Sequence, residues 1–163
     1  MKAHPWLVNW LLEDAKRVAN SRPFDLGVGG TPGDHYMLRW WRIPRNDRAN
    51  VYIHRFRHSD DDRALHDHPY PSCSMVLEGS YVEHTIAQGG IHHRRVARAG
   101  DITFRGARAA HRIELTEGEC WSLFLTGPRV RDWGFHCPKG WVHHDDFADP
   151  NNPGLVGPGC GEK

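Results

Sequence analysis

The chain has 163 residues, with 21 basic and 20 acidic side chains and a formal net charge of +1. That length suits one domain with a sizeable core, and the near-balance of charge argues against bulk nucleic-acid binding as the main activity. No run of 18 apolar residues exists, so no membrane span is expected.

Residues 5–19 read as an amphipathic helix carrying Trp6, Leu7, Trp10 and Leu11, with Pro5 at its first position. Before it, Lys2 supplies a charge, but Glu13 and Asp14 interrupt the stretch and no small-residue cleavage site follows. No signal peptide is therefore read, and a cytoplasmic location with reduced thiols is expected. Gly27 to Asp34 reads as a loop. It has no preceding strand and no Gly-Lys-Ser/Thr, so it is not a phosphate loop.

From Tyr36 the period changes to two. Strands are expected at 36–43, 50–57, 64–68, 74–78, 80–87, 91–97, 101–104, 111–114 and 121–125, with a charged turn at 59–63 and glycines at 79, 89, 90, 100, 106 and 118 in the links. Many short strands with glycine turns predict an all-β barrel or sandwich. In the second strand Val51, Ile53, Arg55 and Arg57 share one face, and Tyr52, His54, Phe56 and His58 share the other. The chain reads as one domain over 1–149, with its barrel at about 36–147 and a Pro/Gly-rich tail at 150–163 expected on the surface or disordered.

The chemistry is concentrated in Leu65-His66-Asp67-His68-Pro69, answered later by Ala110-His111-Arg112. On an extended strand His66 and His68 point the same way and Asp67 points opposite. A third imidazole from a neighbouring strand, His111, would complete a facial set suited to a divalent transition metal. Asp67 cannot easily reach its own neighbours and reads as a supporting or surface carboxylate. The cysteines at 73, 120, 137 and 160 form no CxxC pair, so a closed cysteine-type zinc site is not expected.

His66-Asp67-His68, Glu78-Gly79, Gly100-Asp101 and His111 together resemble the two motifs of the cupin family. Gly100 to His111 is the eleven-residue spacing of the second motif, and Gly79 falls at the hairpin glycine. Asp60 stands where the first motif begins with glycine, Gly106 and Arg108 replace the Pro and Gly of the second, and Ser72 or Cys73 fills the slot of the glutamate ligand. The resemblance implies a cupin double-stranded β-helix, a jelly-roll barrel with an N-terminal α-helix. It also implies a three-histidine metal site without a carboxylate.

That all-histidine pattern is similar to the thiol dioxygenases, cysteine dioxygenase among them. Cys73 lies five residues after His68, as the family's cysteine does, and His111-Arg112-Ile113-Glu114 matches a run after its third histidine. The likeness implies Fe(II), with Zn, Ni, Mn or Cu as alternatives, and a small-molecule substrate bound through its carboxylate by Arg39 or Arg42. The family's downstream tyrosine and its Ser-His-Tyr relay are missing. Alternation instead nominates Arg55 and Arg57 for the pocket, and Arg105 and Arg108 are further anion candidates. Cys73 reads either as a buried apolar filler or as a thiol beside the metal.

The segment from Arg131 to Asp145 carries Trp133, Phe135 and Trp141. It is expected to fold back over the barrel, with Trp141 buried, and to wall the pocket. His136, Cys137, His143 and His144 within it are candidates for a second metal site. The reading is a non-haem Fe(II) dioxygenase that acts on a small polar, anionic or thiol metabolite, with no nucleic-acid or membrane partner and with a homodimer as the candidate assembly. The alternatives are a non-redox metal-binding cupin (isomerase, lyase or sugar-binding module) and a non-enzymatic phage-type accessory or sensor protein.

Overall fold

The computed structural model describes residues 1–31, 33–60, 64–87 and 90–161. In chain order its elements are α1 (Pro5–Ser21), β1 (Leu26–Val28), β2 (Met37–Trp41), β3 (Asn50–Phe56), β4 (Leu65–His66), β5 (Ser72–Glu78), β6 (Ser80–Ala87) and β7 (Ile91–Arg98). There follow β8 (Ile102–Arg105), β9 (His111–Leu115), β10 (Cys120–Thr126), β11 (Gly134–Cys137), β12 (Gly140–His143), α2 (His144–Phe147), β13 (Ala148–Asp149) and β14 (Asn152–Val156).

Two six-stranded antiparallel sheets form the barrel, in the orders β1-β2-β3-β10-β5-β8 and β12-β11-β4-β9-β6-β7. Their inner faces meet in a core of Met37, Phe56, Val76 and Cys120 from the first sheet and Tyr81, Ala97 and Ile113 from the second. Alternation puts these side chains inside and their neighbours outside. The chain crosses between sheets at Gly79, where φ is +77° and an added Cβ would lie 2.4 Å from the Glu119 carbonyl oxygen. Only glycine serves there.

Helix α1 begins as expected at Pro5, where the Trp6 N–H donates to the His4 imidazole. Its buried stripe is Val8, Leu11, Ala15 and Val18, packed on the outer face of the first sheet against Trp40, Ile53, Leu77 and Trp121. Trp6 and Trp10 face solvent, 64% and 58% exposed. The first sheet is therefore covered on both faces.

The predicted loop at 27–34 begins inside β1, which pairs with β2 through Leu26↔Arg39 and Val28↔Met37. Part of the charged turn at 59–63, and Gly89, lie outside the described residues. One expectation is corrected at the C-terminus. Cys137 and Cys160 form a disulfide, Cα atoms 5.4 Å apart, so these two thiols are not free. The tail lies on the surface, one of the two arrangements expected, where β13 and β14 pair and the disulfide ties it to β11. Among the described residues no helix is long and apolar enough to cross a membrane.

Candidate metal centre

His66 ends β4 and sits directly opposite His111, the first residue of β9. Two residues on, His68 returns to the same face. One ring nitrogen from each of the three lies within 4.8 Å of the others, and His68 Nε2 is 3.4 Å from His111 Nε2. Burial holds all three imidazoles below the ordinary histidine value, His68 and His111 well below it. They are thus neutral, the state that offers lone pairs to a cation. His66 Nδ1 is buried with no hydrogen-bond partner, and buried ring nitrogens are rarely left so. Three converging neutral imidazoles with an unsatisfied buried nitrogen fit a divalent transition metal.

The imidazoles line a cavity of about 460 Å³ between the two sheets. Facing them on the first sheet are Arg39, His54, Ser122 and Phe124. Arg39 Nε donates to His54 Nε2 at 2.9 Å, and its guanidinium lies 4.8 Å from the Tyr52 ring. Neither partner is a carboxylate, and burial, with Arg39 and His68 nearby, holds His54 well below the ordinary value. Arg39 is thus a cavity cation with no carboxylate partner among the described residues. Arg105 also points inward but is committed to Glu83 and to Ser74 Oγ at 2.9 Å. Tyr70 stacks on His68, ring centroids 5.8 Å apart, and burial raises its phenol above the usual range.

Several sequence candidates lie elsewhere. Arg42 leaves the barrel and pairs with Asp14 of α1 at 2.8 Å. Arg55, expected in the pocket, points outward to Glu119 at 2.7 Å and over Trp121. Arg57 reaches Asp34 and Glu119, and Arg108 is exposed. Cys73 is on the outer face of β5, in a surface depression with Pro71, Phe104 and Leu125; its neighbours Ser72 and Ser74 are the buried residues. For Arg55 and Arg57, nominated by alternation, the physical reason is plain. Strand alternation separates two faces but does not label them, and here α1 makes the outer face apolar too. His54 and Tyr70 were missed, though Tyr70 continues the alternation of His66 and His68.

Asp67 points away from the metal face as expected, but it is buried rather than superficial. It accepts from Arg131 Nη1 at 2.8 Å, the Gly134 N–H at 3.0 Å, and His136 Nε2 and Trp141 Nε1, each at 3.1 Å. Burial pushes its carboxyl up, and these four bonds outweigh that and hold it below the usual range. Asp67 thereby fastens the β11–β12 hairpin beside the site. Phe135 is the buried anchor of that hairpin, stacked 3.6 Å from Phe147, whereas Trp141 is 42% exposed. The proposed four-residue second metal site does not assemble, because Cys137 is in the disulfide and His136 is held by Asp67. His143 and His144 cluster with Asp145 instead, and His144 stacks on Trp133.

No protein-family model matches the chain, and no curated protein matches it. Solved structures do. The DMSP lyase DddQ from Ruegeria pomeroyi aligns at TM-score 0.52 and 15% identity, over 78% of this chain and 59% of the lyase. Fe(II)-HppE in complex with an alternative substrate aligns at TM-score 0.51 and 15% identity, over 66% and 56%. A putative mannose-6-phosphate isomerase from Ralstonia eutropha aligns at TM-score 0.50 and 19% identity, over 64% and 92%. This chain therefore spans less than two thirds of the first two. The likeness is one of fold: an all-β cupin jelly roll with an N-terminal helix.

Proposed function

We propose that this chain is a metal-dependent enzyme, a non-haem Fe(II) dioxygenase in which His66, His68 and His111 hold the metal and Arg39 anchors a small anionic substrate. The observation that carries the reading is the meeting of three neutral, converging imidazoles with an unneutralised guanidinium in one cavity. The bound metal would supply Lewis acidity and, as Fe(II), the electrons that activate O2. Neutral ligands leave the full 2+ charge, which favours an anionic substrate. His54 orients Arg39 by accepting its Nε–H, and Phe124 and Tyr70 exclude water around His68. With Cys73 outside the barrel, the cysteine dioxygenase likeness lends no weight to a thiol substrate.

A second reading, non-redox lyase or isomerase chemistry at the same histidines, is favoured by the fold shared with a DMSP lyase and a putative sugar-phosphate isomerase. Oxygen uptake separates the two. Fe(II)-loaded protein should consume O2 with members of a panel of small carboxylates and thiols, and His111→Ala should not. Iron-loaded protein that binds members of the panel but consumes no O2 with any of them favours the non-redox reading.

A further inference from the structure

The cavity has two chemically distinct walls, and strand register separates them. Arg39, His54 and Ser122 lie directly opposite one another across β2, β3 and β10. Two residues along β2 and β3 are Met37 and Phe56, and with Val28 opposite Met37 on β1 they form a second inward row, which is apolar. A two-residue step on a strand is about 7 Å. On the open side the C-terminal segment adds Leu155 and Val156 to the lining of the same cavity. These two are 36% and 50% exposed, and Leu26 on β1, which lines the same cavity, is 39% exposed. Half-exposed aliphatic side chains around a cavity gain by contact with an apolar ligand.

The polar wall presents a fork. Arg39 spends Nε on His54 and makes no other hydrogen bond to protein among the described residues, so both terminal nitrogens are available. That is the geometry for bidentate binding of a carboxylate. The carboxylates that line the cavity are engaged elsewhere: Asp60 accepts from the Ile113 N–H at 2.8 Å, and Asp145 faces His144 at 3.0 Å. A cavity of about 460 Å³ is of the size that encloses a drug-sized ligand. A three-carbon amino acid would leave most of it as water against an apolar wall.

We infer that the substrate is an amphipathic carboxylate, its anionic head on Arg39 beside the imidazoles and a hydrocarbon or aromatic body lying along Val28, Met37, Leu155 and Val156. This inference rests on the reading of Arg39 as the substrate anchor and narrows it. The test is calorimetric titration of the purified chain with butanoate, hexanoate, octanoate and octan-1-ol, with metal content measured on the same sample. Affinity should rise about fourfold per added methylene, so octanoate should bind on the order of a hundredfold or more tighter than butanoate. Octan-1-ol should bind at least about tenfold more weakly than octanoate, for want of the charged hydrogen bonds. Arg39→Gln should weaken all three acids and leave the alcohol unchanged. Leu155→Glu, at a partly exposed position, should abolish the octanoate advantage and spare butanoate. Equal affinities for butanoate and octanoate, or for octanoate and octan-1-ol, overturn the inference. A sample that takes up no metal on reconstitution with Fe(II) yet still shows the chain-length dependence upholds it and overturns the metal-centred reading alone.

Discussion

The wall that carries the histidines and the segment that covers it are built by different means. His66 and His111 are held by a single register pair between β4 and β9, and His68 follows by alternation, so local strand geometry suffices. The cover, from Trp133 to Cys160, pairs with β4 through Phe135↔His66 and His136↔Leu65, and side-chain ties add to that: Asp67 to the hairpin, Phe135 on Phe147, and the Cys137–Cys160 disulfide. The first region rests on backbone pairing, and the second adds to its own pairing with β4 a set of side-chain contacts that can be removed by mutation. They should therefore fail separately when mutated.

The largest effect is expected at the packing anchor. Phe135→Ala removes a buried ring stacked on Phe147 and should destabilise by about 3–5 kcal/mol, read from denaturant melts. A loss under about 1 kcal/mol would mean that Phe135 does not hold the cover. Asp67→Ala comes next, at about 3 kcal/mol, because four donors lose a buried carboxylate, one of them the partly exposed Arg131. Native-state proteolysis between Asp132 and Asp145 should speed up in this variant while metal content stays the same. Metal lost along with the cover would show that the two regions are not separable.

Trp141→Ala should cost only about 1 kcal/mol, since the ring is 42% exposed and chiefly shields the Gly134 backbone and one Asp67 oxygen. The smallest effect is the pH dependence at His54 in metal-free protein. Burial depresses its folded-state value below the unfolded one, so folding excludes its proton. Its contribution is fully present above about pH 6.5 and is lost as pH falls through that value toward the depressed one. Between pH 7 and pH 6 the loss should be about 0.7 kcal/mol, and His54→Gln should remove that part of the slope. An identical slope in the variant would contradict a neutral buried His54.

The same contrast explains what could be read from the chain alone. Period-two alternation gave the strands and put His66 and His68 on one face, and the glycine spacing resembling a cupin motif pointed to His111. Alternation failed on β3. Its outer residues Val51 and Ile53 are as apolar as Tyr52 and Phe56 inside, because α1 covers that side, so Arg55 was favoured over the inward His54. Cys73 was nominated by its spacing from His68, which does not say which face of β5 it takes; it lies on the outer one. Burial of Asp67 and the disulfide depend on contacts across about 70 and 23 residues respectively. No local pattern encodes those contacts.

The central claim is that three histidines from two strands hold one metal. Metal analysis of untagged protein, purified without chelator and reconstituted with Fe(II), tests it most directly. One metal per chain is expected in the native sequence and in His92→Ala and His93→Ala, both on β7 away from the cavity. His66→Ala, His68→Ala and His111→Ala should each lose it. Full metal retention in His111→Ala would contradict the account.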